Sequence, residues 1–287
     1  MNPLRSVVRW LAAGVAAGLL ALTPTVHAGQ PCAPQRLSAD ELRRGLELAA
    51  STARALDAWG VRAAVIARVG QDLREYGLRY SHLGFVYRDD TALGGRGAWR
   101  VVHKLNRCGS DRADLYRQGL AEFFSDGLYA FEAGVVPLAP EVAAKLVPAL
   151  RDARALTRLH EPRYNMLAYP WATRYQQSNQ WAIETLAAVM EPAATTRERA
   201  QAWLRLRDYR PTTVQVTALK RLGARIGTAH IAFDDHPFGR RMSDRIDTVT
   251  VDSVFAWLER SGLGDALRVI RPAAPCSTRE APPRAGA

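Results

Sequence analysis

The sequence predicts an α+β protein, a small and mainly antiparallel sheet with helices packed on it. Two kinds of segment carry that expectation. Runs at 61–69, 79–87 and 98–105 read as strands (VRAAVIARV, RYSHLGFVY, AWRVVHKL), the last two joined by a loop rich in Asp and Gly. Helical-period stretches follow in the second half, at 141–155, 178–190 and 196–206.

Taken in order, Ser38-Ala39-Asp40-Glu41 is a capping-box pattern that opens a helix running to about Trp59. Leu42, Leu46, Ala50 and Ala53 lie along one of its faces, and Gly60 ends it. The three strands come next. Cys108-Gly109-Ser110 then leads into a helix expected over 111–125, carrying Leu115, Leu120 and Phe124. A Pro-punctuated segment precedes the 141–155 helix, and an irregular stretch, HEPRYNMLAYPWATRYQQ, precedes the 178–190 helix. Residues 214–225 read as helical, TVTV at 248–251 as a strand, and 252–260 as a last helix. There are no internal repeats.

The first 28 residues have the anatomy of a secretory signal peptide. Arg5 and Arg9 begin it, an apolar run follows, and Val26-His27-Ala28 suggests cleavage before Gly29. Residues 29–270 are expected to form a single α+β domain, and the Pro/Ala-rich tail 271–287 to be disordered. The apolar run is too short for a confident membrane span, and no second one follows, so the expected location is the periplasm. Net charge is +11, or about +9 without Arg5 and Arg9. Only three of the 39 basic residues are lysines and the arginines are scattered, with no basic stripe interleaved with aromatics. Nucleic acid is therefore not expected as a partner. Export permits disulfides. Cys32 and Cys276, near the two mature ends, are candidates for a pair, and no two cysteines have metal-ligand spacing.

Two histidines interrupt the apolar strands. Side chains alternate between strand faces, so Tyr80, His82, Gly84 and Val86 share one face, and Trp99, Val101, His103 and Leu105 share another. A hairpin centred between Ala92 and Leu93 would set His82 opposite His103, with Cβ atoms about 5 Å apart. Imidazoles titrate near working pH and suit acid–base chemistry. Each alone also reads as a packed core residue. Ser178 stands where the irregular stretch becomes helix, on one face with Ala182, Leu186 and Val189. Backbone N–H groups at a helix start favour negative charge, so a nucleophile there could have its oxyanion stabilised. The plainer reading is an N-cap. Cys108, just before the helix expected at 111, is an alternative nucleophile or a buried or disulfide-bonded residue. Asp234-Asp235-His236 reads as a surface turn whose carboxylates bond nearby backbone, not as a metal site. No cofactor is expected.

The order of SHLGFVY, WRVVH and QQSNQWAIE resembles the circularly permuted papain-like folds of the NlpC/P60 superfamily, including the lecithin:retinol acyltransferase-like group. There, two histidine-bearing strands precede an Asn-Cys pair opening a helix. The runs VGQDLREYGLRYSHLGF, YPWATRYQQSNQW, FDDHPFGRR and TVTVDSVFAWL also resemble a bacterial family described as domain of unknown function 2145, which implies no activity. The papain-like resemblance implies a permuted papain-like architecture and acyl transfer or amide/ester hydrolysis. His82 would be the base, His103 its orienting partner and Ser178 the nucleophile, with Gln177 or the Asn179 N–H at the oxyanion. The substrate would be a peptide, glycan or lipid-like molecule of the envelope. The family keeps Cys where this chain has Ser178. Three outcomes follow: a serine enzyme, an inactive relative that binds peptide or glycan in the old cleft, or a different nucleophile.

Overall fold

The computed structural model describes residues 36–217 and 231–272. The signal segment, Cys32, Cys276, most of the 214–225 stretch and nearly all of the 271–287 tail lie outside the described residues. The first helix, α1 (Ala39–Ala58), starts at the expected capping box: Ser38 Oγ accepts from the Glu41 N–H, and Glu41 reaches back to the Ser38 N–H at 2.8 Å. Strands β1 (Ala63–Val69), β2 (His82–Asp89), β3 (Ala98–Asn106), β4 (Ala113–Gly119), β5 (Ala130–Pro137) and β8 (Arg268–Ile270) form one sheet of order β4-β3-β2-β1-β5-β8. Every pairing in it is antiparallel. The other α-helices among the described residues are α2 (Leu120–Phe124), α3 (Pro140–Arg151), α4 (Ala153–Thr157), α5 (Ser178–Met190), α6 (Arg197–Leu206), α7 (Phe238–Met242) and α8 (Val251–Arg260). Strands β6 (Thr212–Gln215) and β7 (Arg245–Thr248) make a separate pair.

The sheet divides the interior into two cores. Ala64, Ile66, Val86, Val101 and Trp99 point to one face and pack with Leu48 and Leu56 of α1 and Phe123 and Phe124 of α2. Val65, Phe85, Tyr87 and Val102 point to the other and pack with α3, α5, α6 and α8. Strand alternation alone produces this division.

Several expectations are corrected. The 111–125 stretch is not one helix: β4 occupies 113–119 and α2 only 120–124. Residues 113–119 instead pair along most of β3, from Asn106↔Ala113 to Arg100↔Gly119, and that ladder overrides a weak local helical pattern. The 126–140 segment contains β5, whose AFEAGVVP pairs with β1. The 141–155 helix breaks into α3 and α4 at Asp152, which is extended (ψ 116°) and caps α4 through the Arg154 N–H. Gln215 ends a strand instead of sitting in a helix, and TVTV straddles the end of β7 and the start of α8. On α1 the buried face is Gly45, Leu48, Ala49, Thr52 and Leu56, while Leu42 and Leu46 are exposed. Gly45 sets that rotation. A Cβ there would lie 2.7 Å from the Phe124 carbonyl oxygen, so the helix seats against α2 along the glycine.

The hairpin register also moves. Asp89 pairs with Ala98 and Phe85 with Val102, which centres the turn between Leu93 and Gly94. Continuing this register brings Gly84, not His82, opposite His103. A Cβ at Gly84 would meet Val101 Cγ1 at 2.9 Å, His103 Cβ at 3.0 Å and the Val102 carbonyl oxygen at 3.0 Å. Gly84→Ala is expected to lower stability by about 1–3 kcal/mol through overpacking. Gly119→Ala, where a Cβ meets nothing within 4 Å, should change it far less. Urea unfolding of the two variants beside the parent checks this.

Candidate functional site: a histidine pair on one face of the sheet

The register shift leaves both histidines on the same face, now as a diagonal pair. His82 Nε2 lies 2.8 Å from His103 Nδ1. His103 is fully buried and His82 half-buried. Gly84 makes the diagonal contact reachable, because no side chain stands between the two rings. The rings are tilted, with centroids 5.1 Å apart, and both lie against Phe123 of α2. His103 Nε2 is 2.7 Å from Gln118 Oε1 on β4, and Gln118 Nε2 is 3.0 Å from Glu122 Oε1 on α2. On the other side, β1 places Arg68 directly opposite His82. Arg68 is buried, donates to the Phe123 carbonyl at 2.5 Å, and is paired with Asp126.

This environment keeps both imidazoles neutral. Burial, then the Arg68 guanidinium and His103, hold His82 well below the usual imidazole value. Burial and Arg68 push His103 down to about 4, against a hydrogen bond with Gln118 that favours its protonated form. A neutral imidazole with a free lone pair can accept a proton; a buried imidazolium beside Arg68 is disfavoured.

Ser178 is not part of this arrangement. Helix α5 packs on the opposite face of the sheet, with Trp181 edge-on to Phe85 at a centroid distance of 6.2 Å. Ser178 is the first residue of the helix, not its cap, and its hydroxyl is hydrogen-bonded with Tyr164. Gln177, the expected oxyanion donor, gives its side-chain amide to Thr248 Oγ1 at 2.5 Å. Asn179 donates its side chain to the Val249 carbonyl at 3.0 Å. The helix start is bolted to the β7–α8 junction, and the sheet lies between it and the histidines. Cys108 is disulfide-bonded, so its thiol is not a free nucleophile. Cys32 and Cys276, the expected pair, lie outside the described residues.

A second polar cluster, unforeseen from sequence, fills the α5 side. The carboxylate of Glu184, fully buried, accepts from Arg197 at 2.7 and 3.0 Å, from Gln176 at 2.6 Å and from Gln201 at 2.8 Å. Gln176 Oε1 in turn accepts from Lys104 Nζ at 2.8 Å, and Lys104 also donates to the Glu161 carbonyl at 2.6 Å. Burial pulls the Lys104 ammonium down to about 7, with Arg197 adding to it and Glu184 opposing. Every acceptor of Glu184 is used internally, which marks a brace for the irregular 159–177 segment. His236 is likewise internal, not part of a surface turn. Its Nδ1 lies 3.0 Å from Asp235 and its Nε2 3.0 Å from the Asp247 carbonyl, while Asp235 accepts from the Tyr169 N–H, 66 residues away in sequence. Asp234 pairs with Arg174 at 2.8 Å. Among the described residues no group of three His, Cys, Asp or Glu side chains could hold a metal ion.

Arg68, Gln118, Glu122 and Asp126 are the site residues that sequence reasoning missed. The available signal was period two in ADLYRQG: read as a strand, it places Tyr116 and Gln118 on the His103 side of β3.

The fold and the site define an α+β protein built on a six-stranded antiparallel sheet, with a neutral histidine pair on one face. The chain belongs to the family described as "Uncharacterized protein conserved in bacteria (DUF2145)", whose model matches residues 55–258. No curated protein and no solved structure matches it.

Two stability outcomes are expected. Glu184→Ala leaves the Arg197 guanidinium buried without its carboxylate and should cost about 3–5 kcal/mol in urea unfolding. The second concerns acid. His103 and His160 sit at about 4 when folded, against an ordinary 6.5, the latter lowered by burial and Lys104. Between those pH values the unfolded chain binds more protons, so stability falls as pH drops from about 6.5 to about 4 and is not gained further above 6.5. For His103 the term is at most ~3 kcal/mol. His103→Gln should flatten the fall in unfolding midpoint between pH 7 and pH 4 relative to the parent; an unchanged slope would contradict the assignment.

Proposed function

We propose that this is an exported envelope protein in which His82 and His103 act as the acid–base centre of an amide/ester hydrolysis or acyl transfer. His82 is the base and His103 its orienting partner. The nucleophile is water or an acceptor hydroxyl brought by the substrate, a peptide, glycan or lipid-like molecule. The observation that carries this reading is the 2.8 Å bond between His82 Nε2 and His103 Nδ1, with His82 at the half-exposed end of the pair. Export is supported by the signal-like anatomy of residues 1–28. No helix among the described residues is long and apolar enough to cross a membrane. The order of two His-bearing strands followed by a buried helix start supports a scaffold of permuted papain-like type. The separation of Ser178 from the histidines by the sheet argues against carrying over that family's nucleophile.

That same separation, with the disulfide at Cys108, favours a second reading: a non-catalytic protein that binds peptide or glycan beside the histidine pair. One set of assays divides the two. On p-nitrophenyl acetate, p-nitrophenyl butyrate and the corresponding anilides, the enzyme reading expects release that His82→Ala reduces at least 100-fold, consistent with a general base. It also expects that Ser178→Ala leaves release within about twofold and that a fluorophosphonate probe leaves Ser178 unlabelled. Equal release by the parent and His82→Ala would sink the catalytic reading and leave the binding one.

A further inference from the structure

We propose that Gln118 and Glu122 are positioning residues that set the proton positions of both imidazoles, so that Nδ1 of His82 is the atom that accepts the proton. The inference rests on the acid–base reading of the pair and names the atom and the wiring behind it. It follows from the chemistry of donors and acceptors along one chain of contacts. A carboxylate only accepts, so the Gln118 group facing Glu122 Oε1 at 3.0 Å is its NH₂. The amide oxygen of Gln118 is then the group 2.7 Å from His103 Nε2, and an amide oxygen cannot donate. His103 Nε2 therefore carries hydrogen. In a neutral ring the other nitrogen has the lone pair, so His103 Nδ1 accepts. The 2.8 Å contact is then His82 Nε2–H donating to His103 Nδ1. What remains on His82 is Nδ1, unprotonated, with no hydrogen-bond partner among the described residues.

The wiring is directional because a carboxylate, which accepts, stands at one end of it. Were Gln118 reversed, its NH₂ would face His103 and its oxygen would oppose a carboxylate. The charged groups around the pair come from three elements: Arg68 on β1, Glu122 on α2, and Asp126 just after α2. Arg68 is already paired with Asp126 and with the Phe123 carbonyl. Glu122 is thus the carboxylate left to polarise the chain, and it stands exposed at the chain's outer end. In the proposed step, the O–H bond of water or an acceptor hydroxyl breaks and an N–H bond forms at His82 Nδ1. The released electron pair forms the new O–C bond. On collapse the C–X bond of the ester or amide breaks, and the same proton passes from Nδ1 to the leaving group.

The test is long-range ¹H–¹⁵N correlation NMR of the histidine rings in the mature protein at pH 7, a readout that does not need a substrate. The parent should show Nε2 protonated in both rings and a pyridine-like Nδ1 on His82. Gln118→Leu removes the acceptor and should move the nitrogens of both rings to intermediate positions as tautomers mix. Gln118→Glu combined with Glu122→Gln keeps an acceptor facing His103 and a donor facing position 118, and should restore the parent pattern. Glu122→Gln frees the Gln118 amide to reverse and should give partial mixing. A proton on Nδ1 of His82 in the parent, or parent-like nitrogens in Gln118→Leu, would overturn the proposal. Failure of the acid–base reading is seen separately: the expected tautomers together with ester release that His82→Ala does not alter would refute the catalysis and leave the wiring standing.

Discussion

Side chains leave a strand alternately to its two faces, and on β2 and β3 that rule governs what this molecule can do. One parity carries His82, Gly84 and Val86 with Val101 and His103; the other carries Phe85 and Tyr87 with Val102 and Lys104. A shift of two residues in register preserves the parity and moves only the partner. A shift of one would bury Lys104 where His103 now stands and turn His103 alone toward α5, away from His82. The apolar residues flanking the histidines specify the parity, since Val86 and Val101 must meet α1 and α2 while Phe85 and Val102 must meet Trp181. The chemistry of the site is a by-product of how two cores are filled.

The two polar clusters on either side of the sheet serve opposite ends. Around Glu184 every acceptor is used, the partners are buried, and the contacts join three separate stretches of chain. Such a cluster is costly to desolvate, and what it secures is the course of an irregular segment that has no ladder of its own. Around His82 the contacts run in one line, from Glu122 through Gln118 and His103, and stop at a half-buried ring. A closed network makes a brace; an open one leaves an atom for a ligand or a reaction. This difference, more than burial or pKa alone, distinguishes the candidate site from Lys104 and His236.

Much of the local structure was readable. The capping box of α1, the bounds of α5, and the start of α6 after Thr196 follow from caps and periodicity, which act over a few residues. What was misread shares one cause. Strand β4 at the sheet edge, β5 in its interior and the break at Asp152 owe their form to pairing or packing with distant chain. ADLYRQG has little strand propensity and becomes a strand because β3 offers it a ladder. The buried face of α1 was misplaced because its contact is a glycine, invisible to any count of apolar residues. Ser178 was misassigned for a related reason: helical periodicity says nothing about which side of a sheet the helix will cover.

By itself, then, the sequence determined the α+β class, the bounds of α1, α5, α6 and α8, and the fact that His82 and His103 share a face. Each of these depends on local periodicity or capping. Only the tertiary structure decided that Gly84 lets the two rings touch, that Gln118 and Glu122 extend the pair, and that Ser178 lies beyond the sheet. These follow from register and from the side on which each helix packs. Both are set by the fit of two cores built from residues far apart in the chain, which no local pattern encodes.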